Sequence, residues 1–149
     1  MFCGRRFALI YLLLAASLAG AGVLGWSSAT SATACNGPTG SEDPLYTAVV
    51  FIRSAVERDH VTLGYRLVTD SGRQGVSCRS WAAGKIPFAA YRHVDWGRSG
   101  YKVVAGGTGQ IVMRVTLRSK VERPAQEAFL LELRQTGALW QVGSWLPVK

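Results

Sequence analysis

The chain has 149 residues, a formal charge of +8, and 48% hydrophobic residues. An apolar N-terminal segment leaves one domain of about 110 residues, which is long enough to bury a core without obligatory staples. The basic residues are scattered singly and no nucleic-acid motif is present, so the composition argues against a nucleic-acid-binding protein.

Residues 7–26 form an uncharged, apolar segment behind a short basic flank, residues 1–6. Crossing a bilayer core takes roughly 20 mostly apolar residues in a helix, and this segment reaches that length. Arg5 and Arg6 lie directly before it, and no further basic residue occurs until Arg53. The positive-inside rule therefore predicts a cytoplasmic flank and an exported remainder.

Three fates compete for this N-terminus. The length of the apolar segment favours an uncleaved transmembrane anchor. Cleavage as a signal peptide after Ala34 ranks second, because Ala32 and Ala34 form a small-x-small site. A lipoprotein modified at Cys35 ranks third, because no lipobox directly follows the apolar segment. Residues 27–42, which are rich in Ser, Thr, Ala and Gly, are predicted to be a flexible linker.

The folded domain, residues 43–149, is predicted to begin with helices. Asp43 and Pro44 are typical of a helix start, and apolar residues then recur at helical spacing to about residue 58. A second, shorter helix is predicted at residues 60–69 and a turn at residues 70–72. Residues 73–81 indicate a third short helix or an ordered loop.

Beyond Gly84 the apolar pattern alternates, which is typical of strands. Strands are predicted at residues 86–91, 101–104, 110–120, 129–134 and 139–146. Successive strands with no helix between them pair as antiparallel hairpins. Helices followed by an antiparallel meander predict an α+β fold with the helices packed on one face of the sheet.

Three stretches carry a family resemblance: TAVVFIRSA at 47–55, YRLVT at 65–69, and the closing pair FLLEL at 129–133 and LWQVGSW at 139–145. Their order resembles the nuclear-transport-factor-2-like superfamily, a cystatin-like fold that includes polyketide-cyclase-like domains. The resemblance covers most of residues 44–147 and implies a cone in which a curved sheet wraps around the helices. An anchored domain of this kind is also similar to accessory proteins of bacterial envelope systems, which implies action through protein contacts.

Some members of this superfamily are enzymes that use an Asp or His inside the cone as a general base. The comparable residues here are His93 and Asp95, which would share one side of an extended segment. A catalytic pair needs a pocket and a third group, and the neighbouring Arg92 and Arg98 favour an exposed loop instead. The prediction is a non-enzymatic protein-binding module, with a small-molecule-binding or isomerase-like cone as the alternative.

Cys35 and Cys78 are both predicted to lie outside the cytoplasm, where disulfides persist. The sequence leaves open whether they pair or are two unrelated thiols. Two histidines and Cys78 show no metal-ligand spacing, so neither a metal nor a cofactor is expected.

Trp96 and Trp145 lie near turns or the C-terminus and are candidates for an exposed partner surface, against the more ordinary reading of partial burial. The expected partners are the membrane and an envelope protein, and the sequence does not define a small-molecule ligand. The net charge of +6 beyond the basic flank also suits electrostatic association with an anionic membrane or wall polymer.

Overall fold

Helices precede strands in the computed structural model, which describes residues 35–37 and 39–149. The predicted segments at residues 1–6 and 7–26 lie outside the described residues. Within the described part of the chain, no helix has the length and apolarity of a membrane span. The predicted α+β class is confirmed. The elements are α1 (Pro44–Phe51) with a π-helical continuation (Ile52–Val56), α2 (Val61–Arg66), α3 (Asp70–Arg73), α4 (Cys78–Ala82), β1 (Gly100–Gly107), β2 (Gln110–Arg118), β3 (Gln126–Thr136) and β4 (Leu139–Pro147).

The first helix begins where the sequence predicts. The carboxylate of Asp43 accepts a hydrogen bond from the backbone N–H of Leu45 (2.8 Å), and Pro44 occupies the first turn. This cap satisfies a donor that a helix start otherwise leaves unpaired. The α-helix then widens into the π-helical turn Ile52–Val56 and ends at Glu57, close to the predicted end.

Short helices follow α2. Thr69 caps α3 by accepting a hydrogen bond from the backbone N–H of Gly72 (3.1 Å). Residues 70–72, predicted as a turn, therefore begin a single helical turn instead. Ser77 caps α4 in the same way. Of residues 73–81, predicted as a third short helix or an ordered loop, only the last four belong to α4.

The strand predicted at residues 86–91 is wrong. This segment is irregular, although Phe88 and Tyr91 are buried in the core. Its backbone bonds to the helical layer instead of to a strand: the N–H of Tyr91 donates to the carbonyl of Val56 (3.1 Å), and Arg58 donates to the carbonyl of Phe88 (2.8 Å). The apolar pattern comes from Phe88 and Tyr91, two core residues that lie three positions apart in the sequence.

The four strands form an open antiparallel sheet in the order β1-β2-β3-β4. As predicted, apolar side chains of β2 face one side, and Met113, Val115 and Leu117 are buried there. Met113 pairs with Leu131 and Val115 with Phe129, so the buried faces of β2 and β3 coincide. β1 is longer than predicted and carries a bulge between Val103 and Ala105.

Aromatic rings fill the space between sheet and helices. Phe129 stacks on Trp145 with ring centres 4.2 Å apart, and Phe51 of α1 meets Trp145 edge to face at 5.9 Å. Aromatic pairs in these geometries add to the free energy gained by burial. Trp145 is only 3% exposed, so the prediction that it contributes to an exposed partner surface is wrong.

The helical layer covers only part of the inner face of the sheet, which is the face that carries Met113, Val115 and Phe129. α1 packs mainly on β3 and β4, and α3 packs on β4. Every residue of β1 is exposed. The core therefore lies over three strands, and the β1 edge extends beyond it.

Phe129 and its neighbour Leu130 test this division of the sheet. Phe129→Ala removes a fully buried ring and is expected to lower the free energy of unfolding by about 3–5 kcal/mol. Leu130→Ala, on the outer face, is expected to change it by only about 0.5 kcal/mol. Urea unfolding of both variants measures the difference, and equal effects would contradict the assignment of faces.

Candidate binding groove beside an edge strand

An apolar groove lies between α1 and the β1–β2 side of the inner sheet face. Its volume is about 190 Å³. It is lined by Leu45, Ala48, Val49 and Ile52 from the helix, by Tyr101, Met113, Val115 and Leu117 from the sheet, and by Trp96, Ser99 and Gly100 at one end. None of these described lining residues has a charged side chain, so their contacts with an occupant are mainly hydrophobic.

Trp96 is fixed in place at the end of the groove. Its indole N–H donates to Glu57 (3.1 Å), and the guanidinium of Arg53 lies 5.0 Å from the ring centre. The same Glu57 carboxylate accepts a hydrogen bond from the backbone N–H of Val94 (2.9 Å). Glu57 therefore ties the loop that precedes β1 to the end of the first helix, and Trp96 is half-buried in the groove wall.

The neighbouring strand β1 is an edge strand along its whole length. Tyr101 and Val103 pair with the buried Val115 and Met113, so they face the inner side, yet they remain 54% and 51% exposed. Proteins commonly protect such edges with charges, proline or bulges. β1 has one charged residue, Lys102, and one bulge. Within the described part of the chain no strand pairs with the outer edge of β1, so exposed apolar side chains and the backbone groups of that edge lie side by side.

These groove residues were only partly identified from sequence. Leu45 and Val49 have the spacing of a helix face, and Tyr101 lies in a predicted short strand. The available signal was the single charge in eight residues of β1. An edge strand and a covered strand share that composition, because exposure depends on whether another element packs there.

His93 and Asp95 do not form a pair in an enclosed cavity. His93 is exposed and lines an open depression that also contains the cations of Arg58 and Arg92. Asp95 lines a different depression beside Arg118. The backbone φ of His93 is 54°, a left-handed conformation that breaks the alternation of an extended segment. The catalytic alternative required the two side chains to share one face of an extended segment. The left-handed conformation of His93 removes that arrangement.

Arg58 lies between that depression and the core. Its guanidinium donates to the carbonyls of Ala55 (2.6 Å) and Phe88 (2.8 Å). Burial lowers the pKa of Arg58, and the nearby charge of Arg92 lowers it further. Both effects disfavour the charged form, and the hydrogen bonds to carbonyls offset part of that cost.

Cys35 and Cys78 are joined by a disulfide, with Cα atoms 6.2 Å apart. The bond connects the beginning of the described residues to the start of α4. Among the described residues, no group of three or more His, Cys, Asp or Glu side chains is placed to hold a metal ion.

Glu132 is the centre of a polar network on the outer sheet face. Its carboxylate accepts hydrogen bonds from Arg134 (2.8 Å), Gln110 (2.6 Å) and Ser144 (3.2 Å). The hydrogen bond from Arg134 is the main cause that lowers the pKa of Glu132, and desolvation partly opposes it. The negative charge of this carboxylate is therefore already compensated by its hydrogen-bond donors within the sheet.

No protein-family model, curated protein or solved structure matches this chain. The resemblance to the nuclear-transport-factor-2-like superfamily therefore stays a prediction.

The network around Glu132 predicts a pH dependence. Because its folded-state pKa is lowered, its stabilising effect is present above the ordinary glutamate pKa of about 4.3 and is lost as the pH falls through the folded-state value. Glu132→Gln should flatten the loss of stability in that acidic range, whereas Glu42→Gln, at an exposed position, should not. Urea midpoints measured across this pH range test the difference, and identical profiles would count against the network.

The two cysteines joined by the disulfide are 43 positions apart in the sequence. Loss of a cross-link of that span is expected to lower the free energy of unfolding by about 2–4 kcal/mol. The Cys35→Ser/Cys78→Ser variant and the untreated chain can be compared by urea unfolding, with and without reductant. Reductant should destabilise the original chain and leave the double variant unchanged.

Proposed function

We propose that the domain is a non-enzymatic binding module that takes up an extended, apolar segment of a partner protein along β1. The observation that carries the proposal is an exposed eight-residue edge strand directly beside an apolar groove. In strand addition, backbone hydrogen bonds at a sheet edge supply affinity and side-chain pockets supply specificity. Both parts are present here within a few residues.

The size and chemistry of the groove define its occupant. Ligand sites for drug-sized molecules usually measure about 300–1,000 Å³, and this groove has about 190 Å³. That volume suits one or two large apolar side chains of a bound strand. Alternate residues of such a strand would point into the groove and between Tyr101 and Val103, while its backbone pairs with β1.

The cellular setting is part of the same proposal. The uncharged segment at residues 7–26 and the preceding Arg5 and Arg6 support a membrane anchor or export signal, which places the domain outside the cytoplasm. The resemblance to the nuclear-transport-factor-2-like cone and to envelope accessory proteins supports an assembly role with another envelope protein.

The isomerase-like alternative has weaker support. It required His93 and Asp95 to face a common cavity, and they line separate surface depressions. Among its described lining residues the apolar groove contains neither of them and no carboxylate or imidazole; its one ionisable side chain is the phenol of Tyr101.

A lysine at the edge should block partner uptake. Val103→Lys would place an unpaired charge where the partner strand packs, a cost of at least about 1.4 kcal/mol, which corresponds to a loss of about tenfold or more in capture. The measurement is cross-linking in cells from a photoreactive residue at position 101, followed by mapping of the attached partner peptide. One discrete apolar segment should be found.

The control is Val121→Lys, an equally exposed valine in the loop between β2 and β3. It should leave the cross-link at position 101 intact. Two results would show that the groove and edge are not the binding site. One is cross-linking of the same intensity in the Val103→Lys and Val121→Lys chains. The other is the same set of cross-linked products from a photoreactive residue at position 101 as from one at position 121.

A further inference from the structure

The outer face of the sheet, opposite the groove, has a second distinctive chemistry. Arg98, Lys102, Arg114 and Arg118 line an open depression there. None of the four forms an ion pair with a carboxylate among the described residues. Cations gathered without compensating acids create a positive potential that attracts anions.

The carboxylates near this surface do not cancel it. Glu132, on the same face, is occupied by its three hydrogen-bond donors, including Arg134. Asp95 lies at the rim beside Arg98; its backbone N–H donates to the carbonyl of Arg118, and its own carbonyl accepts from Ser99. The face therefore keeps a net positive charge.

Exposed leucines extend this surface across the sheet. The pairing register aligns Lys102, Arg114, Leu130 and Leu146 in one row over the four strands. Adjacent strands lie about 4.8 Å apart, so the row is roughly 14 Å long. Leu130 is 37% and Leu146 57% exposed. The row is cationic on β1 and β2 and apolar on β3 and β4.

We propose that this face, defined by Arg98, Lys102, Arg114, Arg118, Leu130 and Leu146, lies on an anionic phospholipid bilayer. Basic side chains pair with lipid phosphates, and the two leucines reach the boundary between headgroups and acyl chains. The combination is what the interface of an anionic membrane requires. Single-stranded nucleic acid is bound on successive aromatic stacking platforms. Among its described lining residues the depression has one aromatic side chain, Tyr101, and the aromatic side chains of β3 and β4 belong to the inner, core-facing side.

The proposal goes beyond the binding function of the groove, because it uses the opposite face of the sheet. It also does not depend on residues 7–26, because the test reads the orientation of the domain. A domain held in this way presents its groove side away from the bilayer.

The test uses the full chain with Cys3→Ser, added to or reconstituted in vesicles that carry brominated acyl chains as quenchers. A fluorophore is attached at Leu130→Cys, and in a separate chain at Tyr46→Cys on the exposed helical side. The vesicles contain phosphatidylcholine alone or with phosphatidylglycerol. We expect the label at position 130, and not the label at position 46, to be quenched in the anionic vesicles.

Charge variants identify the cause of the quenching. A basic residue near an anionic surface contributes a factor of about five to binding, so Lys102→Gln/Arg114→Gln should shift the bound orientation about 25-fold toward free. The matched control, Arg79→Gln/Lys85→Gln, removes two exposed cations from the helical side and should have no effect. Thermal melting of each variant confirms folding.

The chain labelled at position 130 with all its charges intact provides an independent check, because raising salt until the Debye length is about 3 Å should also release the face. Equal quenching at positions 130 and 46, quenching that persists in neutral vesicles or high salt, or an equal loss in both charge variants would overturn the proposal. If the face binds an acidic protein and not a bilayer, positions 130 and 46 should be quenched equally.

Discussion

The constraint on which the domain depends is the mismatch between a four-stranded sheet and a helical layer that covers mainly two strands. Phe51, Phe129 and Trp145 pack together over β3 and β4, and this contact fixes the position of α1. β2 is buried on its inner face, but β1 extends beyond the helix. The groove and the open edge both result from that one offset.

Much of the fold follows from local pattern. The cap at Asp43 and Pro44 and the strict alternation along β2 predict the first helix and the orientation of the best-formed strand. The pattern fails where side chains anchor an irregular backbone: Phe88 and Tyr91 are apolar and close in sequence, yet their segment bonds to the helical layer. The position of Trp145 near the C-terminus does not reveal that the ring of Phe129 stacks on it, so its burial does not follow from the sequence.

The sites are harder to predict because they depend on what is missing from a neighbourhood. Tyr101 and Val103 have the composition of a covered strand, and only the three-dimensional structure shows that none of the described helices lies over them. The pair at positions 93 and 95 depended on an extended backbone, and the left-handed conformation of His93 removes that condition. Arg98, Lys102, Arg114 and Arg118 are scattered along the chain and meet only through the pairing of β1 with β2.

The bond between Cys35 and Cys78 has a mechanical consequence. A pull applied to the chain before Cys35 passes through the sulfur atoms to the start of α4, because a covalent path is far stiffer than the backbone loop it bypasses. The intervening residues, which include α1 and its π-helical turn, carry no tension. A domain loaded in this way keeps its first helix seated on the sheet under drag that would otherwise peel it away.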